Sequence, residues 1–373
     1  FGIGQNGVIM IRNGTEYNIP ALKDIPPCLV NQIYLDRSSN LWFLTDKGVY
    51  LLRNGKISKY TTSMGLTDNT INKILEDHEG NIWLATDHGG VEKLSLGKFN
   101  PFILNTGVNA ICQDKEENIW IGTDDGLLCY RNDEIMDTEL TNLTKGIRIR
   151  HVGLANNGDL LVSCYSKLGQ IRKTRDGMVN WTKKDGIIGD KVRVCTEDKD
   201  GNLWIGSTTG LARIAPDGTI SNFNSDQGLC NDYIMSLFVD SDNRLWVGTD
   251  GGGIDIIVNG EVTESYNTKS GLCGNVVFKI SQDENGIFWI CTGTGISRFD
   301  GKYFTNFNAK DGLGTDSIFQ MLSDYTETIW ITSNRGISSI QKSDFEKYIT
   351  GEKKKLVPKF FTKNDGLKSG GVT

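Results

Sequence analysis

Apolar and polar positions along this chain alternate in runs of five or six residues, and Gly, Asn and Asp close each run. The stretch 310–340 shows the pattern in full. Ile318, Gln320 and Leu322 alternate with Phe319, Met321 and Ser323, which predicts a short strand apolar on both faces, as needed where sheets pack on either side. A turn over 324–328 follows, with Asp324 placed to accept hydrogen bonds from amides a few residues on. A second strand is predicted over 329–333, a tight turn at Asn334-Arg335-Gly336, a third strand over 337–340, and an outer strand before the next Asp-Gly-Leu-type turn. Four antiparallel strands of this kind make one small sheet with two apolar faces. Such a sheet must stack on its neighbours.

The same pattern returns along the whole chain. Its anchor is a tryptophan, at Trp42, Trp83, Trp120, Trp204, Trp246, Trp289 and Trp330, with Leu161 in the same phase. Successive spacings are 41, 37, 41, 43, 42, 43 and 41 residues. That period fits radial four-stranded blades and no helical repeat of about 33 or 34 residues. Asp36, Asp77, Asp114, Asp198, Asp240, Asp283 and Asp324 lie six residues before the anchors, and Thr45, Thr86, Thr123, Ser207, Thr249, Thr292 and Ser333 three after. The unit at Leu161 has Ala155 and Cys164 in those places. The reading is an all-β propeller of about 42-residue blades, with eight full units and partial units at both ends. The tryptophans are read as packing between blades and the aspartates as turn formers.

The rhythm breaks at the short link before Trp120, where Pro101 enters, and Phe99 is the expected boundary between blades 1–98 and 99–373. After Ile340 the insert QKSDFEKYITGEKKKLVPKF begins like a capped short helix. The chain opens at Phe1 inside one unit and ends at Thr373 inside another, so it is expected to be a piece of a longer protein.

Composition narrows the function. The 44 glycines against 6 prolines suit a chain that turns every few residues. A net charge of −6 lacks the basic footprint of a nucleic-acid binder and argues against polyanionic ligands. The eight cysteines are scattered without a Cys-x-x-Cys pair, and most occupy small apolar strand positions, as buried free thiols do. Cys230 and Cys273 share a turn position in successive units, which leaves a contact across blades open. The three histidines, His78, His88 and His151, fall in different units without metal-ligand spacing or a paired nucleophile. No catalytic residue, metal site or cofactor is expected.

If successive strands of a blade are labelled A to D from the axis outward, the D–A and B–C turns share one rim. Asn69, Asp190, Asp232, Asn275 and Asp316 recur on it, read either as caps or as a ring of polar groups around the channel mouth. The B–C turns differ most from unit to unit, and variation on a uniform scaffold is where specificity can be written. The candidate ligand-binding residues are therefore Arg335, Asp250, His88, Asp124, Asn334 and Asp316. Arg335 leads because a guanidinium presents five fixed donors to hydroxyls or carboxylates.

The repeat, a Gly-Leu turn, an apolar strand, then D-x-x-G-N-[IL]-W-[IL]-[GA]-T and G-[LIV], resembles the two-component regulator propeller repeat of bacterial sensory proteins. It covers essentially the whole chain, and the closing SDFEKYITGEKKKLVPKFFTKNDGLKSGG is similar to the helix-bearing insert before the last blade in that family. The resemblance implies an extracytoplasmic, periplasmic region of two seven-bladed rings, with residues from about Phe99 in the second. It further implies a β-sandwich, a transmembrane anchor in the inner membrane and a cytoplasmic histidine kinase or diguanylate cyclase elsewhere in the full-length protein. It points to a small-molecule ligand of the oligosaccharide class, and it leaves open whether the full-length protein pairs as a homodimer. Two other readings stay open. A propeller lyase of the streptogramin-cleaving type would need a convergent His and Glu with a metal, and His88 is the only histidine on the predicted rim. A docking scaffold like the WD-repeat proteins would carry their Gly-His and Trp-Asp pairs, which are absent from the repeat.

Overall fold

In a computed structural model the chain folds into successive small antiparallel sheets, each built from adjacent segments in order. The structure describes all residues except 1, 5, 6, 13, 18, 78–80, 95–105, 133, 325, 362–364, 366 and 368–373. It divides into two compact units, Phe1–Pro101 with Lys363–Lys368, and Phe102–Thr362 with Ser369–Thr373. The expected boundary residue Phe99, Pro101 and His78 lie outside the described residues.

In the first unit a four-stranded sheet spans Val30–Leu35, Leu41–Thr45, Gly48–Arg53 and Lys56–Tyr60. A three-stranded sheet precedes it, and another, around Trp83, follows. The second unit contains six four-stranded sheets among the described residues, with innermost strands Val108–Gln113, Ile149–Leu154, Val192–Glu197, Ile234–Val239, Val277–Gln282 and Ile318–Ser323. The blade at 318–340 matches its predicted strands to within a residue or two, and its outer strand is Lys359–Phe361, beyond the helix Lys342–Ile349.

The seven blades with an anchor tryptophan are each held by one clamp. The aspartate six residues before the anchor accepts the indole N–H of that tryptophan in all seven Trp units, at 2.7–3.2 Å. Its other oxygen accepts the amide four residues on, as Asp36 does from Asn40. The aspartates are thus turn formers that also satisfy the indole, so that the ring can be buried with no stranded donor. Burial pushes these carboxyls up, but the hydrogen bonds outweigh it. Asp36, Asp114, Asp240 and Asp283 titrate below the ordinary carboxylate value. A second link runs from the Thr or Ser three residues after the anchor to the carbonyl closing the B–C turn, as in Thr292 to Gly295 at 2.9 Å.

The tryptophans pack between blades. Trp246 stacks on Phe288 of the next blade, ring centroids 4.0 Å apart, and Trp289 meets Phe307 and Phe345. Trp83 and Trp330 lie in the last described blade of their units and are only half-buried. The blade at Leu161 replaces its missing clamp with Arg172, which bridges Asp159 and, in the next blade, Glu197, both at 2.8 Å. In three blades, close packing is helped by a glycine two residues after the anchor, Gly122, Gly206 and Gly248. A Cβ on Gly206 would sit 2.6 Å from Ile234 of the neighbouring blade. All eight cysteines are free thiols, Cys28, Cys129, Cys164, Cys195 and Cys291 being buried. Among the described residues no helix is long and apolar enough to cross a membrane.

Candidate functional site

Five of the D–A turns are built alike, each as a single turn of 3-10 helix ending in a left-handed glycine, whereas the link into the Leu161 blade is the short α-helix Glu139–Leu143. Thr62–Met64, Lys183–Asp185, Ser225–Gln227, Thr268–Ser270 and Ala309–Asp311 are the five. The recurrent polar residue on this rim caps them. Asn69, Asp190, Asp232, Asn275 and Asp316 accept the first amide of the turn, seven residues earlier, at 2.7–2.9 Å. These groups therefore close a turn; strand A is not what they cap, and one oxygen of each is already engaged.

The six predicted ligand-binding residues divide between the two units. His88 lies in the first, highly exposed, with Nδ1 3.2 Å from Asp87 and 3.6 Å from Asp68. The other five lie in the second. Asp316, Asn334 and Arg335 belong to one blade: Asn334 accepts from Thr315 at 2.8 Å, and an Arg335 guanidinium nitrogen donates to the Gly314 carbonyl at 2.9 Å. Asp124 receives Arg148 Nε at 2.6 Å and Asn109 Nδ2 at 2.9 Å. Those two partners hold its carboxyl below the ordinary value. Asp250 is exposed on its B–C turn.

Below this rim the innermost strands of the second unit enclose a cavity of about 370 Å³. Its shape comes from a device shared by every blade. Each innermost strand carries a bulge near its start, where two residues face one on strand B: Val108/Ala110, Ile149/His151, Val192/Val194, Ile234/Ser236, Val277/Lys279 and Ile318/Gln320. The extra residues are Asn109, Arg150, Arg193, Met235, Phe278 and Phe319. A bulge turns adjacent side chains toward the same side. Here Asn109, Arg150, His151, Arg193, Met235, Ser236, Phe278, Lys279 and Gln320 line the cavity.

The lining is chemically uneven. Arg150 donates to Asn109 at 3.1 Å, Arg193 donates to the Tyr233 hydroxyl at 2.8 Å and lies over that ring. Phe278 is backed edge-on by Phe319, with centroids 5.2 Å apart. Burial and the nearby charges of Arg193 and Arg148 lower the Arg150 pKa, and burial lowers that of Lys279. His151 lies deep in the molecule although its surface opens on the cavity. Burial and the charge of Lys279 hold its pKa at about 4, so it is neutral at physiological pH. The net charge of the chain did not forecast this local positive field. Among the described residues no group of three His, Cys, Asp or Glu side chains is placed to hold a metal ion.

Residues 65–88, 103–125, 186–209 and 228–251 match the two-component regulator propeller family. No curated protein matches the chain. Among solved structures, the chain resembles the extracellular domain of a hybrid two-component system from B. thetaiotaomicron, at 22% identity and TM-score 0.73, over 98% of this chain and 50% of that one. The extracellular domain of a one-component system from the same organism matches at 20% identity and TM-score 0.55, over 85% of this chain and 47% of that one. A streptogramin B lyase matches at 18% identity and TM-score 0.44, over 74% of this chain and 93% of that one, a likeness too loose to bear on chemistry. The chain spans about half the length of the two extracellular domains. At these identities the likeness establishes the propeller fold alone.

Proposed function

We propose that this chain, which belongs to the two-component regulator propeller family, is the ligand-sensing extracytoplasmic region of a bacterial signalling protein. Its ligand is a small molecule of the oligosaccharide class. It binds at the mouth of the second unit's cavity, where the D–A and B–C turns meet the bulged strands. The full-length protein is periplasmic on this side and anchored in the inner membrane, and the chain itself does no chemistry.

The observation that supports this reading is the contrast between scaffold and lining. The clamp, the capped turn and the bulge repeat from blade to blade, while the bulge residue changes at each step through Asn109, Arg150, Arg193, Met235, Phe278 and Phe319. Packing alone asks for one kind of residue there. A row of different polar, cationic and aromatic groups converging on one cavity of about 370 Å³ suits selective binding. Asn109, Ser236 and Gln320 offer hydrogen bonds to hydroxyls, and Phe278 offers a flat face. A ligand touching several innermost strands would favour whichever arrangement of blades it fits, and only that difference in affinity can carry a signal.

Isothermal titration calorimetry of a panel of mono- and oligosaccharides tests the reading. Saturable binding by a member of the panel, weakened in Arg335→Ala or Asp250→Ala, is the expected result. Tight binding untouched by both changes would remove the site from this rim. A panel without any binder would remove saccharide sensing.

A further inference from the structure

The cations in the cavity lack the paired carboxylates that this chain gives to several of its other cations. Arg148 is paired with Asp124, Arg172 with Asp159 and Glu197, Arg244 with Asp240, and Lys342 with Asp283 and Glu284. Arg150 and Arg193 bond to an amide oxygen and a phenol, and Lys279 has no hydrogen-bond or ion-pair partner among the described residues. The Nε of Arg193 is buried with no hydrogen-bond acceptor. No carboxylate lines the cavity. Asp124 at the rim, whose charge reaches Arg150, gives both oxygens to Arg148 and one of them also to Asn109.

Gathering cations out of bulk water without counter-charge disfavours the folded chain. Burial weakens each charge's hydration, and like charges repel more strongly in the lower dielectric. The chain has 46 acidic residues against 40 basic ones, so a local excess of cations does not follow from composition. It follows from the bulge, which turns Arg150 and Arg193 inward in adjacent blades and leaves Lys279 beside Phe278 in a third. A bound anion supplies the missing charge. Guanidinium groups match the two oxygens of a carboxylate or sulfate in their plane, and the unengaged Arg193 Nε is such a donor.

We infer that the cavity holds an oxyanion subsite, in which Arg150, Arg193 and Lys279 receive a carboxylate or sulfate group while Phe278 packs against the ring that bears it. The inference rests on the small-molecule reading above and narrows it to acidic saccharides. The expectation drawn from the net charge is against polyanionic ligands, and a subsite for a single anionic group is compatible with it. His151 stays neutral in the unliganded chain and lends one donor and one acceptor beside the anion.

The probes are D-glucuronate, its uncharged counterpart D-glucose, and sulfate, titrated into the chain by calorimetry and by NMR observation of the His151 imidazole. Glucuronate and sulfate are expected to bind, glucose at least about tenfold more weakly, with anion affinity falling as salt rises. Arg150→Gln and Arg193→Gln should each weaken glucuronate by roughly tenfold or more, the loss expected for a hydrogen bond to a charged group. Saturating sulfate should raise the His151 pKa from about 4. The salt dependence and the His151 titration need no variant, so they decide the matter even where a substitution disturbs folding. Absence of anion binding, or anion binding indifferent to both arginines and to His151, overturns the subsite. Neutral saccharides that bind equally well in both variants, without anion binding, overturn the subsite and leave saccharide sensing standing. Anion binding lost in the variants, with no saccharide-dependent output from the full-length protein, supports the subsite and overturns sensing.

Discussion

Replacing Asp240 with Ala removes the acceptor at the heart of one blade clamp. Its Oδ1 receives the amides of Asp242 at 2.9 Å and Arg244 at 2.8 Å; its Oδ2 receives Trp246 Nε1 at 2.9 Å and Arg244 Nε at 2.7 Å. Asp240 and Trp246 are 2% and 1% exposed, so water does not replace the lost acceptor unless the blade opens. The Arg244 side chain is 34% exposed and can turn to solvent, so its share is small. The indole and the Arg244 amide remain buried donors. At about 1.5–3 kcal/mol for each of these two hydrogen bonds to a charged group, Asp240→Ala should cost about 3–6 kcal/mol. Trp246→Phe keeps an aromatic ring against Phe288, removes only the donor, and should cost about 1–3 kcal/mol. Because both changes delete the same bond, the double variant should fall short of their sum by roughly 1–2 kcal/mol. The blade at Leu161 shows the logic in place, since loss of the indole is accompanied there by Ala155 where the aspartate would stand. Denaturation in guanidinium chloride, followed by circular dichroism, gives the energies. Hydrogen exchange at the Asp242 and Arg244 amides localises them, which matters where two units can unfold separately. A cost below about 1 kcal/mol for Asp240→Ala, with an additive double variant, would refute the clamp as the element holding the tryptophan-anchored blades.

Acid should act in two windows. The folded pKa of His151 is depressed to about 4, so below the ordinary histidine value of about 6.5 the unfolded chain takes up a proton that the folded chain does not. Stability should fall by up to about 3 kcal/mol as pH drops from about 6.5 to 4. His151→Gln should flatten that window in a denaturant-midpoint titration, and an unchanged slope would refute the assignment. The folded pKa of Asp324 is depressed to about 2 by hydrogen bonds from Thr326 and Trp330, so its contribution is complete above the unfolded carboxylate value and disappears as pH falls toward 2. In Asp324→Asn the lower window should shrink. Gly295 has φ 139°, and a Cβ there would lie 2.3 Å from the Phe307 carbonyl, whereas at Gly301, φ 93°, the space is open. Gly295→Ala should cost about 2–4 kcal/mol and Gly301→Ala about 1 kcal/mol in thermal melts, and equal costs would contradict the steric account. Streptogramin-type lactones and polysaccharide mixtures should pass unchanged with or without magnesium. Metal-dependent cleavage lost in His88→Ala would establish the lyase instead.

The blade was legible in the sequence because its clamp needs fixed spacing. An indole can reach a carboxylate only six residues back across one tight A–B turn, so Trp and Asp keep phase from Asp36–Trp42 to Asp324–Trp330. The helix Lys342–Ile349 is expected at SDFEKYI, but it begins one residue earlier and is not capped by a side chain: its N-cap is Gln341, and Ser343 and Asp344 lie within its first turn. The helix Glu139–Leu143 was not legible. Its capping box closes with Thr141 where the usual signal is Glu or Gln, and five residues are too few for a periodicity. The 3-10 turns hid for the same reason of length. The cavity was the larger omission. A regular strand sends Arg150 and His151 to opposite faces, and nothing in the alternation announces the bulge that turns both inward. A signal was nevertheless present. The position eleven residues before each anchor reads Asn31, Asn72, Asn109, Arg150, Arg193, Met235, Phe278 and Phe319, varied in a strand whose preceding residue is Ile or Val in every unit.

Hydrogen–deuterium exchange of the chain with and without a saturating saccharide from the calorimetric panel tests the placement of the site most directly. The account predicts slowed exchange in the innermost strands Ile149–Leu154, Val192–Glu197 and Val277–Gln282 and in the D–A and B–C turns above them, with the A–B turns unchanged. Protection confined to the A–B turns, or to the outer strands, would contradict it.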